Sequence, residues 1–228
     1  MKCKYFIIVL ILCLICAQSG WAKPAFGVRA GVNLANAKAD PDWGLDFQKK
    51  VGFIFGPTVE FLLAKNDQAA FAIRLEMLYI QKGWKIEESE SYYDYAYNFS
   101  ATYSVDELVF APFAVLRLPT KGITPYFELG PELGFNIAKR WKYEFSSMDI
   151  VESESGDIED WADVNFGLNF GAGAAIPVGN SELTFGIRYN LGISNMDTYE
   201  EDLGEENSTI KTNGIQFLAG YNFSVPTK

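Results

Sequence analysis

Eight separate runs of period-two alternation constrain this chain more than any other feature of its sequence. The first sets Phe26, Val28, Ala30, Val32 and Leu34 against Gly27, Arg29, Gly31 and Asn33. The second sets Val51, Phe53, Phe55, Val59 and Phe61 against Gly52, Gly56, Thr58 and Glu60. The third opposes Phe71, Ile73, Leu75, Met77 and Tyr79 to Ala72, Arg74, Glu76 and Lys82. The fourth, from about Val105 to Leu118, is nearly all apolar; its charges put Leu108, Phe110, Ala114 and Leu116 on one face and Glu107 and Arg117 on the other. The fifth opposes Phe127, Leu129, Leu133, Phe135 and Ile137 to Glu128, Glu132 and Asn136. The last three centre on Phe170, Ile187 and Phe217, with Asn169, Arg188 and Gln216 among their polar partners. No segment reads as a long amphipathic helix.

These runs are roughly 10–15 residues long, where a soluble strand is usually about 5–6. A strand tilted across a bilayer needs about 9–11 residues. The gaps between runs alternate in length: 35–50, 84–104, 139–161 and 195–211 are long, whereas 63–69, 119–124 and 177–181 are short. Long external loops and short periplasmic turns are the pattern of a transmembrane barrel. The expectation is all-β: an eight-stranded antiparallel up-and-down transmembrane β-barrel.

Residues 1–22 read as a signal peptide, with Lys2 and Lys4 ahead of an apolar run from Tyr5 to Ala17 and a cleavage site after Ala22. Residues 23–228 are then the barrel domain, exported to the outer membrane. Cys3, Cys13 and Cys16 leave with the signal, so the mature chain has no Cys, and there is no His anywhere. Without Lys2 and Lys4 the mature chain holds 17 basic and 29 acidic residues, a net charge of −12. The four long gaps contain 20 acidic and 8 basic residues, which is the whole of that excess. An acidic chain has no means of releasing phosphate counterions, so nucleic acid is excluded as a partner.

Alternation alone leaves two barrels open, because a soluble barrel buries its apolar face and a membrane barrel exposes it. The polar face decides between them. It is rich in Gly and Asn, and its charges mix signs: Arg29, Arg74 and Arg188 with Glu60, Glu76, Glu128 and Glu132. These seven residues are expected to pair in a narrow lumen as a structural network. Trp84, Trp141 and Trp161 fall near strand ends, where an interfacial girdle is expected. Pro57, Pro112 and Pro131 lie within strands and call for bulges or wide pairs near the rims.

Several stretches resemble the PorT-like outer-membrane β-barrel family of Bacteroidetes, whose architecture is that of the OmpX/OmpA-type eight-stranded barrels. They are Gly27-Val-Arg-Ala-Gly-Val-Asn-Leu34, Pro125-Tyr-Phe-Glu-Leu-Gly-Pro-Glu-Leu-Gly134, Phe166-Gly-Leu-Asn-Phe-Gly-Ala-Gly173, Arg188-Tyr-Asn-Leu-Gly192 and Gly214-Ile-Gln-Phe-Leu-Ala-Gly-Tyr-Asn-Phe223. The resemblance covers nearly the whole mature chain and implies location and fold. It departs at Phe110, where the family usually carries an acidic residue. One member is tied to protein secretion and gliding, which implies an accessory role in such an apparatus as one alternative.

No residue is put forward as catalytic, cofactor-binding or metal-binding, and no cofactor is expected. The missing His removes the commonest general base. Glu128 and Glu132 could be an acid–base pair, but a lumen salt-bridge network is the plainer reading. Gly171-Ala-Gly173 lacks the third glycine of a dinucleotide loop and alternates like a strand. Tyr92, Tyr93, Tyr95 and Tyr97 in the second long gap are candidate loop recognition residues, since Tyr is a contact residue at interfaces. The functional expectation is a non-enzymatic, monomeric outer-membrane barrel, with lipid around it and a protein or surface partner at its external loops. The alternatives are the secretion accessory, a narrow channel, and a secreted soluble β-barrel binding a small ligand.

Overall fold

The computed structural model describes residues 24–40, 46–92, 95–147, 150–197 and 209–223. The expected signal segment, 1–22, and Tyr93 lie outside the described residues. Nine strands follow in order: β1 Ala25–Asp40, β2 Phe47–Lys65, β3 Ala70–Tyr92, β4 Tyr95–Arg117, β5 Thr124–Ser147, β6 Ile150–Asp157, β7 Val164–Val178, β8 Ser181–Gly192 and β9 Thr209–Asn222. Each pairs antiparallel with its neighbours, β1 pairs with β9, and β4 pairs with β5. Eight strands thus close a ring. The ninth, β6, pairs only with β5 among the described residues and lies outside the ring.

The alternating faces fall as the sequence predicts. Phe53, Phe55, Phe127, Leu129, Phe170, Ile187 and Phe217 point outward and are exposed, while Arg29, Glu60, Arg74, Glu76, Glu128, Glu132 and Arg188 are buried inside. The nearly apolar fourth run has the expected phase: Leu108 and Leu116 face out, and Glu107 and Arg117 face in. Val109, Phe113 and Val115 also face in, so the lumen is packed with apolar as well as polar side chains.

Turn chemistry fixes the short end. Asn66 Oδ1 accepts from the backbone N–H of Gln68 (2.9 Å) and Ala69 (2.7 Å), which closes the β2–β3 turn. Gly179 adopts φ 62° in the two-residue turn between Val178 and Ser181. A positive φ there matches the strand twist of a tight hairpin and favours glycine.

The long end differs from expectation in three of its four gaps: in 35–50, β1 runs on to Asp40 and β2 starts at Phe47. Most of the described residues of 84–104 and 139–161 are strand as well. β3 and β4 run on as one hairpin until Tyr92 pairs with Tyr95, and β5 continues to Ser147 and returns as β6. The reason is in the residues: Tyr97, Phe99, Ala101 and Tyr103, and Trp141, Tyr143 and Phe145, alternate with polar neighbours as strands do. Tyr92, Tyr95 and Tyr97 are therefore strand residues rather than loop residues. A register shift between Asp106 and Glu107, which leaves Ile137 as an extra residue on β5, marks where the outer extension begins.

Pro112 and Pro131 also depart from expectation. The β4–β5 ladder holds one register from Phe110↔Leu133 to Ala114↔Leu129, which sets Pro112 directly opposite Pro131. The three intervening pairs drop out of the ladder, as they must when both residues of one hydrogen-bonded pair lack N–H. Each missing donor faces the other, so one interruption absorbs two prolines without a bulge. The site lies at mid-barrel, since Ala111 is in register with Glu76.

Candidate functional site

The lumen is the first candidate, and its chemistry is layered. Glu128 of β5 is the hub of the central layer. Its Oε2 is 2.6 Å from Arg74 Nη1 and 3.4 Å from Arg29 Nη1; its Oε1 is 2.7 Å from Arg188 Nη2. Glu76 takes Arg29 at 2.8 Å and Arg188 at 3.0 Å. Glu60 bridges Arg74 (2.8 Å) to Arg117 (2.7 Å), which also reaches Glu182 at 2.9 Å near the short-turn end. Four guanidiniums and four carboxylates thus form one connected, charge-neutral cluster. Aromatic rings support it: Arg188 lies 4.1 Å over Phe113 and Arg74 5.3 Å over Tyr126.

A second layer lies toward the long-hairpin end. Lys82 sits between Glu132 (2.7 Å) and Glu107 (2.8 Å). Asn169 donates to Glu132 at 2.7 Å, Asn165 to Glu107 at 2.9 Å, and Asn190 to Asn169 at 3.0 Å. Glu128 and Glu132 therefore belong to different layers, the first charge-neutral and the second two carboxylates sharing Lys82 and amide donors. Desolvation offsets most of the attraction in such buried ionic layers, so their net contribution to stability is small.

All seven expected lumen residues meet in these two layers. Lys82, Glu107, Arg117 and Glu182 belong to the same network and were not among the expected members. The signal was present: Lys82, Glu107 and Arg117 lie on the polar face of their runs, at positions nearer the strand ends. Gly171-Ala-Gly173 is strand β7, as its alternation implies. A Cβ on Gly173, or on its cross-strand partner Gly186, would collide with the Tyr126 hydroxyl, so both glycines make room for that ring.

Above the ionic layers the mouth is filled by aromatic side chains. Trp84, 2% exposed, stacks on Trp161 (centroids 5.0 Å) and Tyr103 (5.2 Å) and meets Phe47 edge-on at 6.2 Å. Met196, Val105, Ala37 and Ile210 complete this plug. Trp84 is thus not part of an interfacial girdle. It is two residues beyond Lys82 on the same strand face, and because β3 continues past the rim that face stays inward. Trp161 joins it in the plug, and Trp141 lies beside Tyr103 in the outer sheet.

The second candidate is that outer sheet, β3–β4–β5–β6. Tyr97 stacks on Phe145 (6.2 Å), Phe99 lies 6.4 Å from Tyr143, and Trp141 and Tyr143 are 5.9 Å apart with planes 8° from parallel. A cleft of about 230 Å³ opens among Phe99, Tyr103, Trp141 and Tyr143. Tyr97 is the one expected recognition residue whose ring contact is described.

The family model for the outer membrane protein beta-barrel domain matches residues 17–198. The chain belongs to this outer-membrane β-barrel family. It is an integral outer-membrane protein, and the exposed apolar belt of Phe53, Phe127 and Phe170 is its lipid-facing surface. No curated protein matches the sequence. Among solved structures, the barrel is similar to Neisserial surface protein A, at 16% identity and a TM-score of 0.41, covering 89% of this chain and 99% of that one. It is similar to Ail, the attachment invasion locus protein of Yersinia pestis, at 17% identity and a TM-score of 0.36, covering 88% and 99%. It is also similar to the outer membrane enzyme PagL, at 14% identity and a TM-score of 0.36, covering 85% and 97%. By the general rule for outer-membrane barrels, short turns face the periplasm and long hairpins the outside.

Proposed function

We propose that this chain is a non-enzymatic, electrically silent outer-membrane barrel whose outer sheet is a surface-interaction module. The observation that carries the reading is the contrast between lumen and outer sheet. The lumen charges that could catalyse or conduct are engaged in ion pairs and lie beneath the Trp84 plug. The outer sheet instead presents aromatic side chains in an open cleft. The absence of His in the sequence supports the non-enzymatic part.

The finer placement among PorT-like barrels rests on the order of the glycine-rich strand motifs. A secretion-accessory role needs a periplasmic docking surface, and the described short turns at 66–69, 118–123 and 179–180 offer little. The surface-interaction reading therefore ranks above it.

Two measurements test the proposal. Purified protein in planar bilayers should show no stepwise conductance; discrete channels would refute the silent lumen. A photocrosslinker placed at Ile150, on the same face of β6 as Glu152 and Glu154, should capture a macromolecule from outside the membrane on intact cells. Capture only from the periplasmic turn at Gly122 would favour the secretion role.

A further inference from the structure

The outer sheet has two unlike faces, and their difference in charge pairing points to a partner. This inference rests on the surface-interaction reading and names the chemistry of what is bound. On the polar face each cation has a carboxylate: Lys142 pairs with Glu144 at 2.9 Å, Arg140 with Asp106 at 2.5 Å, and Lys85 with Glu87 at 3.9 Å. The other face is built in cross-strand rows. One row is Glu88, Phe99, Phe145 and Glu152; the next is Ile86, Ala101, Tyr143 and Glu154; the third is Trp84, Tyr103, Trp141 and Gly156. Aromatic rings occupy the centre and carboxylates the flanks.

Among the described residues, Glu88, Glu152 and Glu154 have no ion-pair partner, whereas on the opposite face Glu87, Asp106 and Glu144 are paired and Asp157 is not. Ring faces and carboxylates both attract positive charge. The three rows contain no Lys or Arg of their own to supply it, and Lys142, which also lines the cleft, is held by Glu144 at 2.9 Å. The third row is tied into the barrel plug through Trp84, so the sheet is anchored from below.

We propose that this face docks an extended cationic polypeptide segment from outside the cell. Glu152 and Glu154 are two residues apart on one strand face, the repeat at which an extended chain presents alternate side chains. Lys or Arg at every second position would lay its aliphatic stem on Phe145 and Tyr143 and place its charged head among Glu152, Glu154 and Glu88. A neutral glycan would use the rings but leave the three carboxylates uncompensated, so the charge pattern favours the polypeptide.

The test uses the purified full barrel in zwitterionic micelles. The probes are an octapeptide of alternating Lys and Thr, its Glu–Thr counterpart, and an uncharged oligosaccharide, followed by calorimetry and tryptophan fluorescence. The Lys–Thr peptide is expected to bind saturably and to weaken as salt rises. The triple variant Glu88→Gln, Glu152→Gln, Glu154→Gln should lose at least tenfold in affinity, and Glu144→Gln on the polar face less than twofold. Heat-modifiable gel mobility reports folding, and if the triple variant fails it, Glu152→Gln alone should still lose at least threefold. Equal binding of the Glu–Thr peptide, or unchanged affinity in the carboxylate variants, would overturn the proposal. Saturable binding of the oligosaccharide alone would overturn the cationic partner while leaving the surface-interaction reading standing. No saturable binding by any probe would overturn the cationic partner too, with the Ile150 crosslinking then judging the broader reading by itself.

Discussion

Replacing Glu128 by Ala should destabilise the barrel by about 3 kcal/mol, the low end of the 3–5 kcal/mol typical for breaking a buried ion pair. The geometry sets that end of the range. Glu128 touches Arg74, Arg29 and Arg188, yet each keeps another carboxylate: Arg74 keeps Glu60 at 2.8 Å, and Arg29 and Arg188 keep Glu76 at 2.8 and 3.0 Å. No guanidinium is stranded, but the layer passes from neutral to one net positive charge in a closed space. Removing Arg74 as well restores neutrality, since Glu60 retains Arg117 at 2.7 Å. The double variant Glu128→Ala, Arg74→Met should therefore be less destabilised than the sum of its parts by about 0.5–3 kcal/mol. The assay is a reversible urea titration of the folded barrel in vesicles, read by tryptophan fluorescence and gel mobility. A loss below about 1 kcal/mol for Glu128→Ala, with strict additivity in the double variant, would mean that water rather than protein neutralises these charges, and the closed-network account would fail.

Two other perturbations probe the outer surface and the mouth. Phe170→Arg places a charge on the lipid face and should cost about 2–4 kcal/mol in the same titration if the residue lies near the midplane; a neutral result would mean that the faces are reversed. Trp84→Ala removes the side chain on which Trp161, Tyr103 and Phe47 pack and should cost about 3–5 kcal/mol, as large aromatic truncations do; a loss under 1 kcal/mol would show that the plug is not a packed core.

The barrel was legible in the sequence because lipid and lumen impose opposite chemistry on adjacent residues, and period two records that contrast directly. Even the nearly apolar fourth run yielded its phase, because Glu107 and Arg117 are an even number of residues apart and neither can face lipid. The same run also shows what sequence could not supply. Phe113 shares the inward face of Glu107 and Arg117, but the run does not record that Arg188 lies over its ring and so joins β4 to β8 across the lumen. The opposition of Pro112 and Pro131 depends on the register between two strands, which no single run encodes.

Charge misled the reading of the long gaps. Acidic residues made 84–104 and 139–161 look like solvated loops, although Phe99 to Tyr103 and Trp141 to Phe145 alternate as well as any barrel strand. The site residues followed the same logic. The seven network members nearest mid-strand were recognisable by face and sign. Glu182 escaped notice because it lies at the boundary of a short turn, where a charge is unremarkable until Arg117 is seen 2.9 Å away.

The central claim is a closed membrane barrel with an apolar lipid face, carrying a water-exposed sheet above it. Because the mature chain is expected to lack Cys, single substitutions can report it directly. Bimane attached at Phe170→Cys and at Ser155→Cys is compared in vesicles whose acyl chains are brominated. The account predicts strong quenching at position 170, none at 155, and labelling of 155 alone by an impermeant maleimide on intact cells. Equal quenching at both sites, or free labelling of position 170 by the impermeant reagent, would contradict it.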